Sequence, residues 1–199
     1  MKKLLSFLAI LCLMFSFSEN IVSAQSKILV AYFSRVGEEY SVGNVSKGNT
    51  AIVAEMIAEK TGADLFEIKT VQDYPFSYED CKTVASREKA TKARPELLAT
   101  VDDFNQYETI FIGYPIWYGD APMAVYTFLE SYDFSGKNIV PFCTHGGSGL
   151  SSTDQTITLT CPDSKILQGF EIRGTIARND SEQTSNKIDQ WLKKLNFIR

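Results

Sequence analysis

Eight consecutive residues, Gly43-Asn44-Val45-Ser46-Lys47-Gly48-Asn49-Thr50, have the composition and spacing of an anion-binding loop. Small and hydroxyl-bearing residues leave backbone N–H groups accessible. A loop that runs straight into a helix adds the positive end of the helix dipole. The pattern is G-x-x-x-x-G-N-T, one residue from the triphosphate loop G-x-x-x-x-G-K-[ST], with Asn49 at the place of the essential lysine. Without that cation there is no point charge for β- and γ-phosphates. The dinucleotide fingerprint G-x-G-x-x-G is missing as well, because Gly37, Gly43 and Gly48 are too widely spaced. What remains suits a single phosphate held by neutral donors: the Ser34 and Thr50 hydroxyls, the Asn49 amide and backbone N–H groups. An ordinary strand-to-helix turn with a Thr or Asn cap would use the same residues, so other loops must decide between the two.

Two other loops carry chemistry of their own. Gly113-Tyr114-Pro115-Ile116-Trp117-Tyr118-Gly119-Asp120 presents Trp117 and Tyr118 on a turn pinned by Pro115 and Gly119. Large aromatics there want a flat apolar partner, although local core packing would use them too. Thr144-His145-Gly146-Gly147-Ser148-Gly149 has three glycines in four residues, so a ligand can approach the backbone and receive N–H hydrogen bonds. A tight connection to the next helix is the plainer account of the same glycines. A phosphate cradle, an aromatic wall and a glycine-rich amide loop together describe a flavin mononucleotide (FMN) site. His145, the chain's single histidine, could supply a titrating group beside such a ring. The simpler role is to shape the loop and hydrogen-bond the ring passively, and no catalytic residue is assigned.

These loops need elements to hold them. Ile28–Phe33 is an apolar run that suits a strand buried on both faces. Ala51–Ile57 continues as a helix, with Ile52, Val53, Met56 and Ile57 on one side, and Thr61-Gly62 ends it. Further strands are expected over Asp64–Lys69, Thr109–Tyr114, Asn138–Cys143 and Lys165–Ile172. Helices are expected over Tyr78 to about Arg94, Pro122–Ser131, Ser151–Thr160 and Ser181–Leu195. Apolar strands alternating with helices mean an α/β fold with a parallel sheet covered on both faces. In such sheets ligands bind beyond the carboxyl ends of the strands, where strand order reverses. All three loops lie at such ends.

Here a family resemblance enters. Phe33-Ser34 followed by Gly48-Asn49-Thr50 resembles the flavodoxin phosphate loop. Gly113–Gly119 and Cys143–Gly149 resemble the two isoalloxazine loops of a bacterial flavodoxin-like subfamily. The resemblance runs from about Lys27 to Phe197. It implies a flavodoxin-like, doubly wound, five-stranded parallel sheet of order 2-1-3-4-5, and one non-covalent FMN. It implies that Ser34, Gly48, Asn49 and Thr50 hold the phosphate, with Lys47 beside them. Pro115, Ile116, Trp117, Tyr118, Gly119, Thr144, His145, Gly146, Gly147, Ser148 and Gly149 then flank the ring. Two features depart from the pattern. About a dozen extra residues, roughly Val36–Ser46, interrupt the phosphate loop, either covering the ribityl chain or forming a disordered bulge, and Lys47 stands where a neutral residue is expected. The second departure is at the N-terminus, since flavodoxins are usually cytoplasmic.

Residues 1–24 read as a secretory leader. Lys2 and Lys3 precede an apolar run, Leu4–Phe17, of 14 residues, short of the roughly 20 a membrane span needs, and Val22-Ser23-Ala24 suits cleavage before Gln25. Residues 25–199 then form one domain, exported to the periplasm or beyond, with no membrane span. The leader takes two Lys and one Glu from the chain's 20 basic and 24 acidic residues, which moves the net charge from −4 to −5. No basic patch pattern for nucleic acid is present. Three cysteines remain, Cys81, Cys143 and Cys161, too few for a disulfide framework, with a Cys81–Cys161 bridge left open. The expected function is an FMN-binding electron carrier serving a redox partner protein or a small-molecule acceptor. Two alternatives stay open: an FMN-dependent NAD(P)H:quinone or nitro reductase, and a flavin-free adaptor on the same fold.

Overall fold

The first strand, β1 (Lys27–Tyr32), is buried from Leu29 onward, as a central strand covered on both faces must be. The computed structural model describes residues 27–199; the leader expected at residues 1–24 lies outside the described residues. After β1 come a short hairpin, β2 (Gly37–Glu39) and β3 (Gly43–Val45), then α1 (Asn49–Thr61), β4 (Asp64–Glu67) and α2 (Tyr78–Thr91). The chain continues through β5 (Tyr107–Pro115), α3 (Met123–Glu130), β6 (Asn138–His145) and α4 (Thr153–Thr160). It ends with β7 (Lys165–Ile166), β8 (Phe170–Arg173), α5 (Gly174–Asn179) and α6 (Ser181–Lys194). The main sheet has the order β4-β1-β5-β6-β7, with β8 also pairing β6, and every pair in it is parallel. Counted with β7 and β8 as one interrupted strand, this is the order 2-1-3-4-5.

Alternation along the strands divides the core into two layers. Leu29, Ile110 and Ile112 pack with Phe128 and Leu129 of α3 and Ile157 of α4. On the other face, Val30, Phe111 and Val140 pack with Val53 and Ile57 of α1 and with Ile188, Trp191 and Leu192 of α6. Along α1 the buried residues are Thr50, Ala51, Val53, Ala54 and Ile57, while Ile52 and Met56 are half-buried. The apolar stripe therefore sits about one residue from its expected place. Gly62 ends α1 in the left-handed conformation, as the helix stop predicts.

One local expectation is corrected, and two points left open take definite form. The strand expected over Lys165–Ile172 is broken between Ile166 and Phe170. Leu167 donates its N–H to the Ile139 carbonyl at 2.8 Å, so Ile139 faces this strand, and Pro141, two residues on, faces it as well. Pro141 has no N–H to give, and the ladder lapses until Phe142 pairs with Phe170. The Val36–Ser46 insertion is an ordered antiparallel hairpin, with Gly37, Glu38 and Glu39 paired to Val45, Asn44 and Gly43. Cys81, Cys143 and Cys161 are buried free thiols, so the Cys81–Cys161 bridge is not formed.

Gly113 carries the tightest constraint in the sheet. It pairs with Tyr32 on one side and Phe142 on the other, and an added Cβ would stand 2.1 Å from Phe142 Cζ. Gly113→Ala is therefore expected to lower stability by about 2–3 kcal/mol, the upper part of the range for overpacked cores. A urea unfolding midpoint would measure it, and adding Phe142→Leu should recover part of the loss.

Candidate functional site

At the carboxyl edge of the sheet lies a cavity of about 510 Å³, within the roughly 300–1,000 Å³ of small-molecule sites. The loops after β5 and β6 form much of its wall: Pro115, Ile116, Trp117, Tyr118 and Gly119 on one side, Thr144, His145, Gly146, Gly147 and Ser148 on another. Asn49 enters from the first turn of α1. Five expected site residues lie outside the wall. Ser34 Oγ accepts the Ala51 N–H at 3.1 Å. Gly48 is buried so tightly that a Cβ would stand 2.1 Å from Ser34 Oγ and 2.4 Å from the Arg35 carbonyl. Thr50 and Thr144 share a hydroxyl hydrogen bond of 2.8 Å. The Gly149 carbonyl lies 3.5 Å from Cys143 Sγ. Lys47 is exposed, and its ammonium sits 2.8 Å from both Glu55 oxygens, so its charge is neutralised away from the cavity.

The start of α1 keeps the properties of an anion cradle. Gly48 is the N-cap and contributes no side-chain acceptor, and of the first-turn amides the Ala51 N–H is taken by Ser34 Oγ. Arg178 brings positive charge to the spot: its Nε donates to Asn49 Oδ1 at 2.9 Å, and its Nη2 donates to the Lys47 carbonyl. Gly174 backs onto Asn49 so closely that a Cβ there would stand 2.6 Å from Asn49 Nδ2.

The aromatic loop both packs and presents. Trp117 is half-buried and meets Phe33 and Tyr74 edge-on at 5.3 and 5.1 Å, so core packing is part of its role. Trp117 and Asp120 exchange backbone hydrogen bonds of 2.8 and 3.0 Å around Tyr118 and Gly119, whose φ values are 51° and 72°. Positive φ at both central positions makes this a tight hairpin turn. Gly119 adopts it freely, whereas Tyr118 is strained in it. The Tyr118 hydroxyl donates to the Lys82 carbonyl at 3.2 Å, and Lys89 Nζ donates to the Tyr118 carbonyl at 2.6 Å, fixing the turn against α2.

The rest of the wall was not foreseen from the sequence: Arg35 just before the hairpin and Glu39, Tyr40 and Ser41 within it, Tyr78, Cys81, Lys82 and Ala85 from α2, and Arg173 at the end of β8 with Gly174 and Thr175 of α5. Arg35 is buried and donates to the carbonyls of Glu38 (2.8 Å), Pro75 (2.8 Å) and Phe76 (2.6 Å) and to Glu39 Oε1 (2.7 Å). Burial pushes the Glu39 carboxyl up, and the Arg35 charge opposes that shift. Burial likewise raises the Cys81 thiol to about 11, so it is held as an unreactive thiol near neutral pH. His145 Nε2 is hydrogen-bonded to Glu171 Oε2, while Nδ1 is buried without a partner among the described residues. The hairpin's only sequence signal was its length as an insertion; Lys82 and Arg173 carried none.

The sequence model of the family described as Flavodoxin matches residues 27–194. A crystallised protein from Bacteroides eggerthii, designated a flavoprotein, is 32% identical with a TM-score of 0.69, over 86% of this chain and 98% of its own. A similarly designated protein from Bacteroides uniformis is 31% identical with a TM-score of 0.68, over 84% of this chain and 98% of its own. A flavoprotein from Lactobacillus acidophilus, solved in complex with FMN, is 21% identical with a TM-score of 0.60, over 83% and 98% of the two chains, a likeness of fold. No curated protein sequence matches the chain.

The Arg35 contacts make a specific claim about local stability. The Glu38 N–H is bonded to the Phe76 carbonyl at 2.9 Å, and the Tyr78 N–H to Glu38 Oε2 at 3.0 Å. Arg35→Met should free the hairpin from residues 75–78, and hydrogen exchange at the Glu38 and Tyr78 amides should then speed up by an order of magnitude or more. Exchange in the main sheet should change much less. Unchanged exchange at Glu38 would show that the hairpin holds without the guanidinium.

Proposed function

The chain belongs to the flavodoxin family, and on that footing we propose that it binds one FMN non-covalently and serves as an exported electron carrier, its leader removed near Ala24. The observation that carries the reading is the convergence of three features on one cavity: the start of α1, the Trp117–Tyr118 turn and the glycine loop after Thr144. The fit is chemical as well as spatial. The Gly48 backbone, pressed on Ser34, is a close approach that only glycine permits, and Asn49 with Arg178 beside it suits a single phosphate. The aromatic side chains of Pro115 to Gly119 and the glycine-rich backbone of Thr144 to Ser148 line one cavity, which suits a flat ring with polar edges. Bound FMN supplies the redox chemistry; the protein binds it, orients it and sets its electrostatic surroundings. The electron acceptor is a partner protein or a small molecule.

A second reading, an FMN-dependent reductase taking hydride from NAD(P)H, rests on Lys82 and Arg173, cations in the wall that a nicotinamide nucleotide's phosphates could use. Reduction separates the two. The purified protein should be yellow with a flavin spectrum, which the flavin-free adaptor would lack. Dithionite should bleach it, whereas NADH and NADPH should do so slowly or not at all. Anaerobic bleaching by either nicotinamide within the enzyme range of about 1–10³ s⁻¹ would establish the reductase instead.

The phosphate assignment has its own test. Asn49→Ala should weaken FMN and leave riboflavin, which has no phosphate, nearly unaffected. One hydrogen bond to a charged group is worth about 1.5–3 kcal/mol, or roughly ten- to hundredfold in affinity. Equal losses for the two ligands, read by fluorescence titration, would place the phosphate elsewhere.

A further inference from the structure

The glycine loop Thr144–Gly149 has no aromatic side chain to set against Trp117 and Tyr118, yet its bare backbone is not left open. Tyr40, at the tip of the β2–β3 hairpin, lies against Gly146: a Cβ built there would stand 3.0 Å from Tyr40 Cδ1 and 3.1 Å from Cε1. Its ring is also tilted toward Tyr78, with centroids 6.1 Å apart at 33°. Tyr40 remains 61% exposed, a large aromatic left unsatisfied at the wall of the cavity. We infer that Tyr40 is a binding residue for a planar heteroaromatic ring, the hairpin supplying the aromatic surface that the glycine loop lacks. This rests on the flavin reading above and deepens it, since an isoalloxazine is such a ring.

The placement of Tyr40 is built into the fold. Gly37 enters the hairpin at φ 126°, where a Cβ would stand 2.6 Å from the Phe76 carbonyl, so the two backbones touch. The Arg35 guanidinium, the Glu38–Phe76 backbone bond and the Tyr78–Glu38 bond then fix the hairpin to the start of α2. At the far end, Ser41 turns the chain at φ 59° and the Val42 N–H closes on the Glu39 carbonyl at 3.2 Å. Tyr40 thus sits at the apex of an ordered turn, and a ring that stacks on it meets a surface already in place. Gly146 complements it: a larger residue there would drive the tyrosine off the loop.

The test titrates FMN and riboflavin into wild type, Tyr40→Ala, Tyr40→Phe and Gly146→Val, reading affinity and the fluorescence of the bound flavin. Stacking on an aromatic side chain is worth about 1–3 kcal/mol, so Tyr40→Ala should weaken both ligands by roughly five- to hundredfold. It should also relieve part of the fluorescence quenching. Tyr40→Phe should behave as wild type, and Gly146→Val should resemble Tyr40→Ala. Tyr40 is a mostly exposed tip residue, so its replacement should leave the unfolding midpoint in place, which checks that the variant is folded. If wild type binds FMN and Tyr40→Ala binds both flavins equally well with equal quenching, the assignment of Tyr40 is wrong and the FMN reading stands. Loss of FMN affinity without loss for riboflavin would move Tyr40 to the phosphate arm and also overturn the assignment. If wild type binds neither flavin, the FMN reading falls and this one with it.

Discussion

A buried guanidinium holds the mouth of the cleft together. Taking a charge out of water costs several kcal/mol unless its donors are met with good geometry. Arg35 meets that condition through all three of its nitrogens, which face the carbonyls of Glu38, Pro75 and Phe76 and one Glu39 oxygen. Its partners come from two stretches some forty residues apart, the hairpin and the segment leading into α2. Those stretches carry Tyr40 and Tyr78 into the cavity wall. The hairpin has little apolar surface to dock by, since Val36 and Tyr40 are exposed, while the second stretch is anchored by Tyr74 against Phe33 and Trp117 and leaves Phe76 exposed. Polar contacts at one residue therefore do for the hairpin what core burial does for the main sheet.

The sheet imposes a second constraint through Pro141. Because its missing N–H divides the last strand, β8 makes its own pairing with the end of β6, Cys143 opposite Glu171 and His145 opposite Arg173. That register sets Glu171 within reach of His145 Nε2 and lets Arg173 donate to the Gly146 carbonyl at 3.1 Å. It also delivers Gly174 against Asn49. A proline in the middle of one strand thereby helps determine which groups of a neighbouring strand reach the glycine loop and the start of α1.

The alternation of strands and helices was legible because each central strand is a nearly unbroken apolar run, which local sequence reports directly. The three loops were legible for the same reason: their glycines, aromatics and Asn-Thr pair lie contiguous in the chain. The hairpin was not, because its strands are three residues each, rich in glycine and glutamate, and held by Arg35 to carbonyls far away in sequence. The break in the last strand was hidden because its cause, Pro141, stands on the neighbouring strand. Lys82 and Arg173 were missed because a helix face and a strand end give no local sign of lining a cavity. Lys47 sits in the right loop, yet it pairs with Glu55, nearly two turns into α1.

The cations at the site bear on how the cavity works. Lys82 pairs with Glu79 at 2.9 Å on the exposed surface, whereas the donors of Arg35 are turned inward to carbonyls and Glu39, so of the two Lys82 is the one open to a ligand. The arginines of the β8–α5 segment are placed differently. Arg173 donates to the Gly146 carbonyl of the glycine loop, and Arg178, beside the start of α1, donates to Asn49 Oδ1 and the Lys47 carbonyl. Arg178 thus sets one positive charge at the start of α1, although the loop there lacks the lysine of a triphosphate site. A cavity with a positive charge beside the start of α1, and with Trp117, Tyr118, Tyr40 and Tyr78 elsewhere in its wall, has both the polar and the flat apolar surfaces that one mononucleotide presents.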